Sequence, residues 1–125
     1  MPDYTVIPER MGHHPFALIA ASNDLIFVTG IASPGDTAAE QARRILAEIA
    51  RLLEEVGSSL SEIVHLRTMV SKREYLEEVN QVVIEVLPDP KPAAGLVIGE
   101  LVAPELKVEF EAIAQRGARM VLADA

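Results

Sequence analysis

Pro92-Ala93-Ala94-Gly95 through Lys107-Val108-Glu109-Phe110-Glu111-Ala112-Ile113-Ala114 is the stretch whose reading decides the fold. It predicts two strands, roughly 95–101 and 106–114, joined by the turn Val102-Ala103-Pro104-Glu105. In the second strand a period of two puts Lys107, Glu109 and Glu111 on one face. Val108, Phe110 and Ala112 take the other. A carboxylate in mid-strand between apolar neighbours has two readings. Either that face is solvated, or the carboxylate sits in a cleft where desolvation raises its proton affinity and lets it move protons.

Upstream of this stretch, Ile63–Val70 reads as a strand with Val64, Leu66, Thr68 and Val70 on one face. His65, Arg67 and Met69 lie on the other. Ser71-Lys72-Arg73-Glu74 has the spacing of a capping box and opens a helix striped by Leu76, Val79, Val83 and Val86, with Tyr75 and Val82 beside them. Pro88-Asp89-Pro90 ends it. A longer helix, 38–56, begins at a second such box, Thr37-Ala38-Ala39-Glu40. Its stripe is Ala42, Ile45, Leu46, Ile49, Leu52, Leu53 and Val56, and Gly57 closes it. Glu40–Arg44 and Arg51–Glu55 are i,i+4 pairs on its polar face, each contributing about 0.2–0.5 kcal/mol. Residues 4–8 read as a short strand stopped by Pro8, and 9–15 as a loop. Residues 16–29 read as a hairpin turning at Ser22-Asn23-Asp24, and Gly30 marks a bulge or a close backbone approach.

The predicted order is β-β-β-α-β-α-β-β, in one domain spanning 1–125. Two amphipathic helices cover one face of a mixed sheet, an α+β two-layer sandwich. Apolar residues on both faces of several strands predict that other subunits cover the second face.

Half of the residues are hydrophobic and the net charge is −8, with no basic run. Phosphate contacts need clustered Lys and Arg, so no nucleic-acid partner is expected. With no cysteine there is no disulfide, thiolate nucleophile or cysteine metal site. No apolar run reaches the ~18 residues of a membrane span, and Met1-Pro2-Asp3-Tyr4 lacks a signal-peptide layout. A soluble cytoplasmic protein is expected, with no membrane partner.

The run Leu106-Lys107-Val108-Glu109-Phe110-Glu111-Ala112-Ile113-Ala114, preceded by Leu101, resembles the C-terminal signature of the Rid/YjgF family of reactive intermediate deaminases. The resemblance extends through Val28-Thr29-Gly30, helix 38–56, Ser61-Glu62-Ile63-Val64 and Val79-Asn80. It implies a chorismate-mutase-like fold, a homotrimer, a small metabolite in clefts between subunits, and no cofactor. It implies that Glu109 handles the water that attacks an imine or enamine carbon. It places Thr29, Gly30 and Asn80 at the cleft, against readings as a curvature bulge and a helix-surface amide.

Two positions depart from the family. Phe16 stands where a tyrosine is usual, so a hydroxyl is lost, and core packing is the stronger reading of its ring. Ala94 stands where an arginine normally forks onto a substrate carboxylate. Ile31 and Leu96 would make such a cleft more apolar. The implied activity is hydrolysis or tautomerisation of an imine- or enamine-type metabolite without that clamp. The alternatives are a non-catalytic metabolite-binding trimer, or a specialised biosynthetic or catabolic enzyme on the same scaffold. His13 and His14 read as a surface loop and no metal site is expected. Arg67 either replaces the missing arginine or makes an ion pair.

Overall fold

The structure is a computed structural model that describes residues 4–6 and 16–118, with side chains from Phe16 onward. The predicted loop 9–15, with His13 and His14, the end of the first strand and the tail beyond Ala118 lie outside the described residues.

The element order is the predicted one. β1 (Tyr4–Val6), β2 (Ile19–Ser22) and β3 (Leu25–Ile31) are followed by α1 (Ala38–Glu55). Then come β4 (Ile63–Val70), α2 (Leu76–Val86), β5 (Ala93–Ile98) and β6 (Val108–Gln115). The strands form one sheet in the order β1-β2-β3-β6-β4-β5. β4 and β5 run parallel and the other pairs antiparallel, so the sheet is mixed. The hairpin β2–β3 turns at Asn23, whose φ of 55 is a left-handed conformation that asparagine tolerates. The two strands of the deciding stretch are not neighbours. β4 lies between them, because β5 pairs with β4 while β6 pairs with both β3 and β4.

α1 forms as its stripe dictates. Thr37 caps it, its Oγ1 accepting from the Glu40 N–H at 3.0 Å. The return bond of the box goes one residue further out, from the Asp36 N–H to Glu40 Oε2 at 2.9 Å. Glu40 also takes Arg44 at 2.7 Å, and Arg51 pairs with Glu48. Gly57, at φ +78, ends the helix with a backbone turn that a Cβ would strain.

The box predicted at Ser71 does not form. A 3-10 turn, Arg73–Tyr75, leads into α2, and no side chain caps either start. The Ser71 N–H instead donates to the Lys107 carbonyl at 3.0 Å, extending the β4–β6 ladder past the end of β4. The chain is still paired with β6 at Ser71, and the turn begins two residues later, at Arg73.

The core lies between the helices and one sheet face. Ile45, Leu46, Ile49, Leu52 and Leu53 of α1 and Val79 and Val82 of α2 pack with Ile26, Val28, Leu66, Val70, Val108, Phe110, Ala112 and Ala114. The opposite face carries no layer in the single chain. Leu25 and Phe27 of β3 are 42% and 45% exposed there.

Candidate functional site

β6 alternates as predicted: Val108, Phe110, Ala112 and Ala114 are buried, while Glu109 and Glu111 point to the uncovered face. Lys107 precedes the strand, and its amine lies 5.7 Å above the Tyr75 ring. On β4 the same face holds His65, Arg67 and Met69, with Arg67 opposite Glu111 and Met69 opposite Glu109. On β5, Ala93, Gly95 and Val97 continue it, in register with His65, Arg67 and Met69.

β3 closes the other side. Between the pairs Val28–Ala112 and Ile31–Phe110 the register shifts, so Thr29 and Gly30 together face the single residue Glu111. The two sequence readings of Gly30 therefore hold at once. It sits in the bulge, and it also permits a close approach. A Cβ on Gly30 would stand 2.9 Å from the Glu109 Cδ and from Oε2. The Glu109 carboxylate thus rests on bare backbone. The Thr29 N–H is held by the Leu18 carbonyl at 2.9 Å.

Burial raises the Glu109 carboxyl above its ordinary value of 4.5; the Glu111 carboxylate adds to the rise and the Arg67 guanidinium opposes it. A half-buried carboxylate that readily takes up a proton, flanked by backbone, can accept a proton from water and return it.

One chain thus gathers Thr29, Gly30 and Glu109. It does not gather the remaining predicted residues. Ile31 is in the core, 9% exposed, on the face opposite Glu109, because the bulge flips the alternation. Ala94 and Leu96 are in register with Leu66 and Thr68 on the helix side of the sheet. Leu96 is 46% exposed at the sheet edge. Asn80 is exposed on α2, with Arg73, Glu74 and Ile84 around the same hollow. Phe16 is 46% exposed, so its ring is not core. The place of Glu111 beside Glu109 is legible from the alternation; its effect on Glu109 is not.

Surface hollows lie elsewhere as well. A groove of about 460 Å3 between α1 and α2 is walled by Arg43, Glu74, Glu77, Glu78 and Gln81. It lies across the sheet from Glu109, and its carboxylates form a solvated helix face. Among the described residues no cluster of His, Asp and Glu could hold a metal ion. No described helix is long and apolar enough to cross a membrane.

This two-layer arrangement of helices on a mixed sheet is the architecture of the YjgF proteins. A YjgF-family protein from Neisseria meningitidis superposes with a TM-score of 0.85 at 27% identity, covering 94% of this chain and 98% of that one. A member of the YjgF/YER057c/UK114 family from Mycobacterium tuberculosis gives 0.82 at 26% identity, covering 90% and 99%. The family described as Endoribonuclease L-PSP matches residues 9–116, and the chain belongs to it. The mitochondrial protein mmf1 of Schizosaccharomyces pombe is 31% identical over 116 residues, 86% of this chain and 72% of that protein. The 3-aminoacrylate deaminase RutC of Acinetobacter baylyi is 26% identical over 125 residues, 91% of this chain and 98% of that enzyme.

Proposed function

We propose that the chain, as a single domain, is a Rid-type hydrolase or tautomerase of a small imine or enamine. It works as a homotrimer whose clefts form where neighbouring subunits cover the open sheet face. The observation that carries this reading is the Glu109 carboxylate, half-buried against Gly30 with its proton affinity raised by burial. In hydrolysis, Glu109 takes a proton from water as the water oxygen bonds to the imine carbon. Glu109 returns that proton to the imine nitrogen, giving the carbinolamine; on collapse the hydroxyl proton passes by way of Glu109 to the same nitrogen, the C–N bond breaks, and a carbonyl compound and ammonia leave. Backbone groups around Thr29 and Gly30 would orient the substrate, since no side chain at Gly30 intervenes. Phe16, Asn80, Ala94 and Leu96 enter this reading only as the edge of a cleft completed by a neighbour, and Ile31, in the core behind the sheet, does not enter it.

The relative that deaminates 3-aminoacrylate supports the reaction class. Ala94 narrows the substrate. Without a guanidinium, a substrate carboxylate buried at that position would lose a charge-assisted pair, a cost on the order of 2–5 kcal/mol. Neutral imines and enamines should therefore release ammonia faster than 2-aminoacrylate or 3-aminoacrylate. Ammonia release tests this, with an amino-acid oxidase supplying imino acids and an amine oxidase supplying neutral imines. Equal rates would remove the neutral-substrate reading. Ala94→Arg should raise turnover of the carboxylated substrates alone. A second reading, a metabolite-binding trimer without catalysis, is favoured by the joint loss of the arginine at Ala94 and the hydroxyl at Phe16. It predicts saturable binding with no turnover on any member of the panel.

A further inference from the structure

Among the described residues the charged groups around Glu109 are few. On its own strand they are Glu111 and Lys107. On β4 they are Arg67 and His65. The neighbouring positions of β3, Phe27, Thr29 and Gly30, are uncharged, as are Ala93, Gly95 and Val97 of β5. The Lys107 amine is turned to the Tyr75 ring. His65, opposite Ile113, lies a further step along the sheet, so the nearest charges are Glu111, two residues along the same face, and Arg67, opposite Glu111 and diagonal to Glu109. Such positions put side chains about 7–8 Å apart at Cα level, within reach of long side chains. Glu111 and Arg67 are both exposed, so neither supports the core.

We propose that Glu111 and Arg67 are positioning residues for Glu109, an opposed pair of charges that fixes the protonation state in which Glu109 meets its substrate. Each acts on Glu109 with opposite sign, and they sit across one register pair from each other. Their effects oppose one another, and burial against Gly30 is the larger influence on the proton affinity. Either one alone would move it. A Glu109 driven too far down is a weak proton acceptor; driven too far up, it is protonated before it meets water. The inference rests on Glu109 being the working carboxylate for its consequence in catalysis, but the charge coupling itself is measurable without any substrate.

The experiment is a carboxyl-carbon NMR titration of the intact protein, with the Glu109 resonance assigned by its loss in Glu109→Gln. Glu111→Gln should move the Glu109 midpoint down and Arg67→Met should move it up. The double variant should fall between the two. Arg67→Lys, which keeps the charge, should stay near the wild-type midpoint and guards against a purely steric effect. All shifts should shrink in about 1 M salt, where the screening length falls to about 3 Å. Identical midpoints in wild type, Glu111→Gln and Arg67→Met would overturn the proposal, as would shifts of the same sign in both. Failure of turnover in every variant and in wild type would instead count against the catalytic reading and leave these midpoints as the test of coupling.

Discussion

Gly30 and Glu109 share one small volume, and a methyl group placed on Gly30 decides who occupies it. The atoms it would meet belong to the end of a flexible side chain, at 2.9 Å, and the carboxylate can swing away. Gly30→Ala should therefore cost only about 1 kcal/mol of stability, a few degrees of melting temperature. It should nonetheless remove most turnover or ligand binding, because the carboxylate has lost its seat. A melting curve beside an activity assay separates the two; full activity with unchanged melting would show that the seat is immaterial. The proton on Glu109 gives a second residue-scale prediction. Its folded affinity is raised, so its contribution to stability is complete below the ordinary value of 4.5 and is lost as pH rises through the raised folded value. Glu109→Gln removes that loss. The variant should melt above wild type at pH 7 to 8, with the gap closing towards pH 4. A gap independent of pH would mean the carboxylate is not desolvated. The alternation of Lys107, Glu109 and Glu111 made the open face legible in the sequence, and Gly30 announced a close approach. What approached it was not legible, since the contact joins residues 79 positions apart across the β3–β6 pairing.

Among the elements, α1 holds the site's two flanks through a single buried side chain. Gln41, fully buried, donates from Nε2 to the Gly35 carbonyl at 2.9 Å and to the Glu105 carbonyl at 3.1 Å. Its Oε1 accepts from the Lys107 N–H at 2.8 Å. It thereby ties the loop that leaves β3 to the loop that leads into β6, the two strands carrying Gly30 and Glu109. Gln41→Leu keeps the volume but strips these backbone groups of their partners. It should cost about 3 kcal/mol by urea denaturation. A cost below about 1 kcal/mol would mean water replaces the amide. Nothing in the sequence separated Gln41 from the polar face of α1, because two of its three partners arrive from a loop more than sixty residues away. The failed box at Ser71 shows the converse limit. Its spacing is local and correct, but the β4–β6 ladder claims the backbone first. In α2, valines at helical spacing overrode strand propensity, because Val79 and Val82 bury against the core.

At the scale of the molecule the uncovered sheet face is the dominant fact. Leu25 and Phe27 on that face, and Leu96, Val97 and Ile98 at the β5 edge, are between 38% and 46% exposed in one chain. An edge strand without charge, Ala93–Ile98, invites a neighbour. Light scattering should therefore give about 41 kDa, three chains of 13.6 kDa, and a monomer at micromolar concentration would contradict the assembly. The order of elements and the two-layer sandwich were legible because helix stripes and strand alternation are local patterns. The non-adjacency of β5 and β6 was not, since a parallel β4–β5 pair is made only after α2 has crossed over. The central claim is that Glu109 on this sheet face performs the proton transfers of imine or enamine hydrolysis. The most direct test is the rate of ammonia release from a neutral imine by wild type and Glu109→Gln, both verified as the same assembly. Wild type should accelerate release well above the buffer rate, and Glu109→Gln should lose at least about a hundredfold of that acceleration, the size of a general acid–base contribution. Equal acceleration by the two proteins would contradict the account.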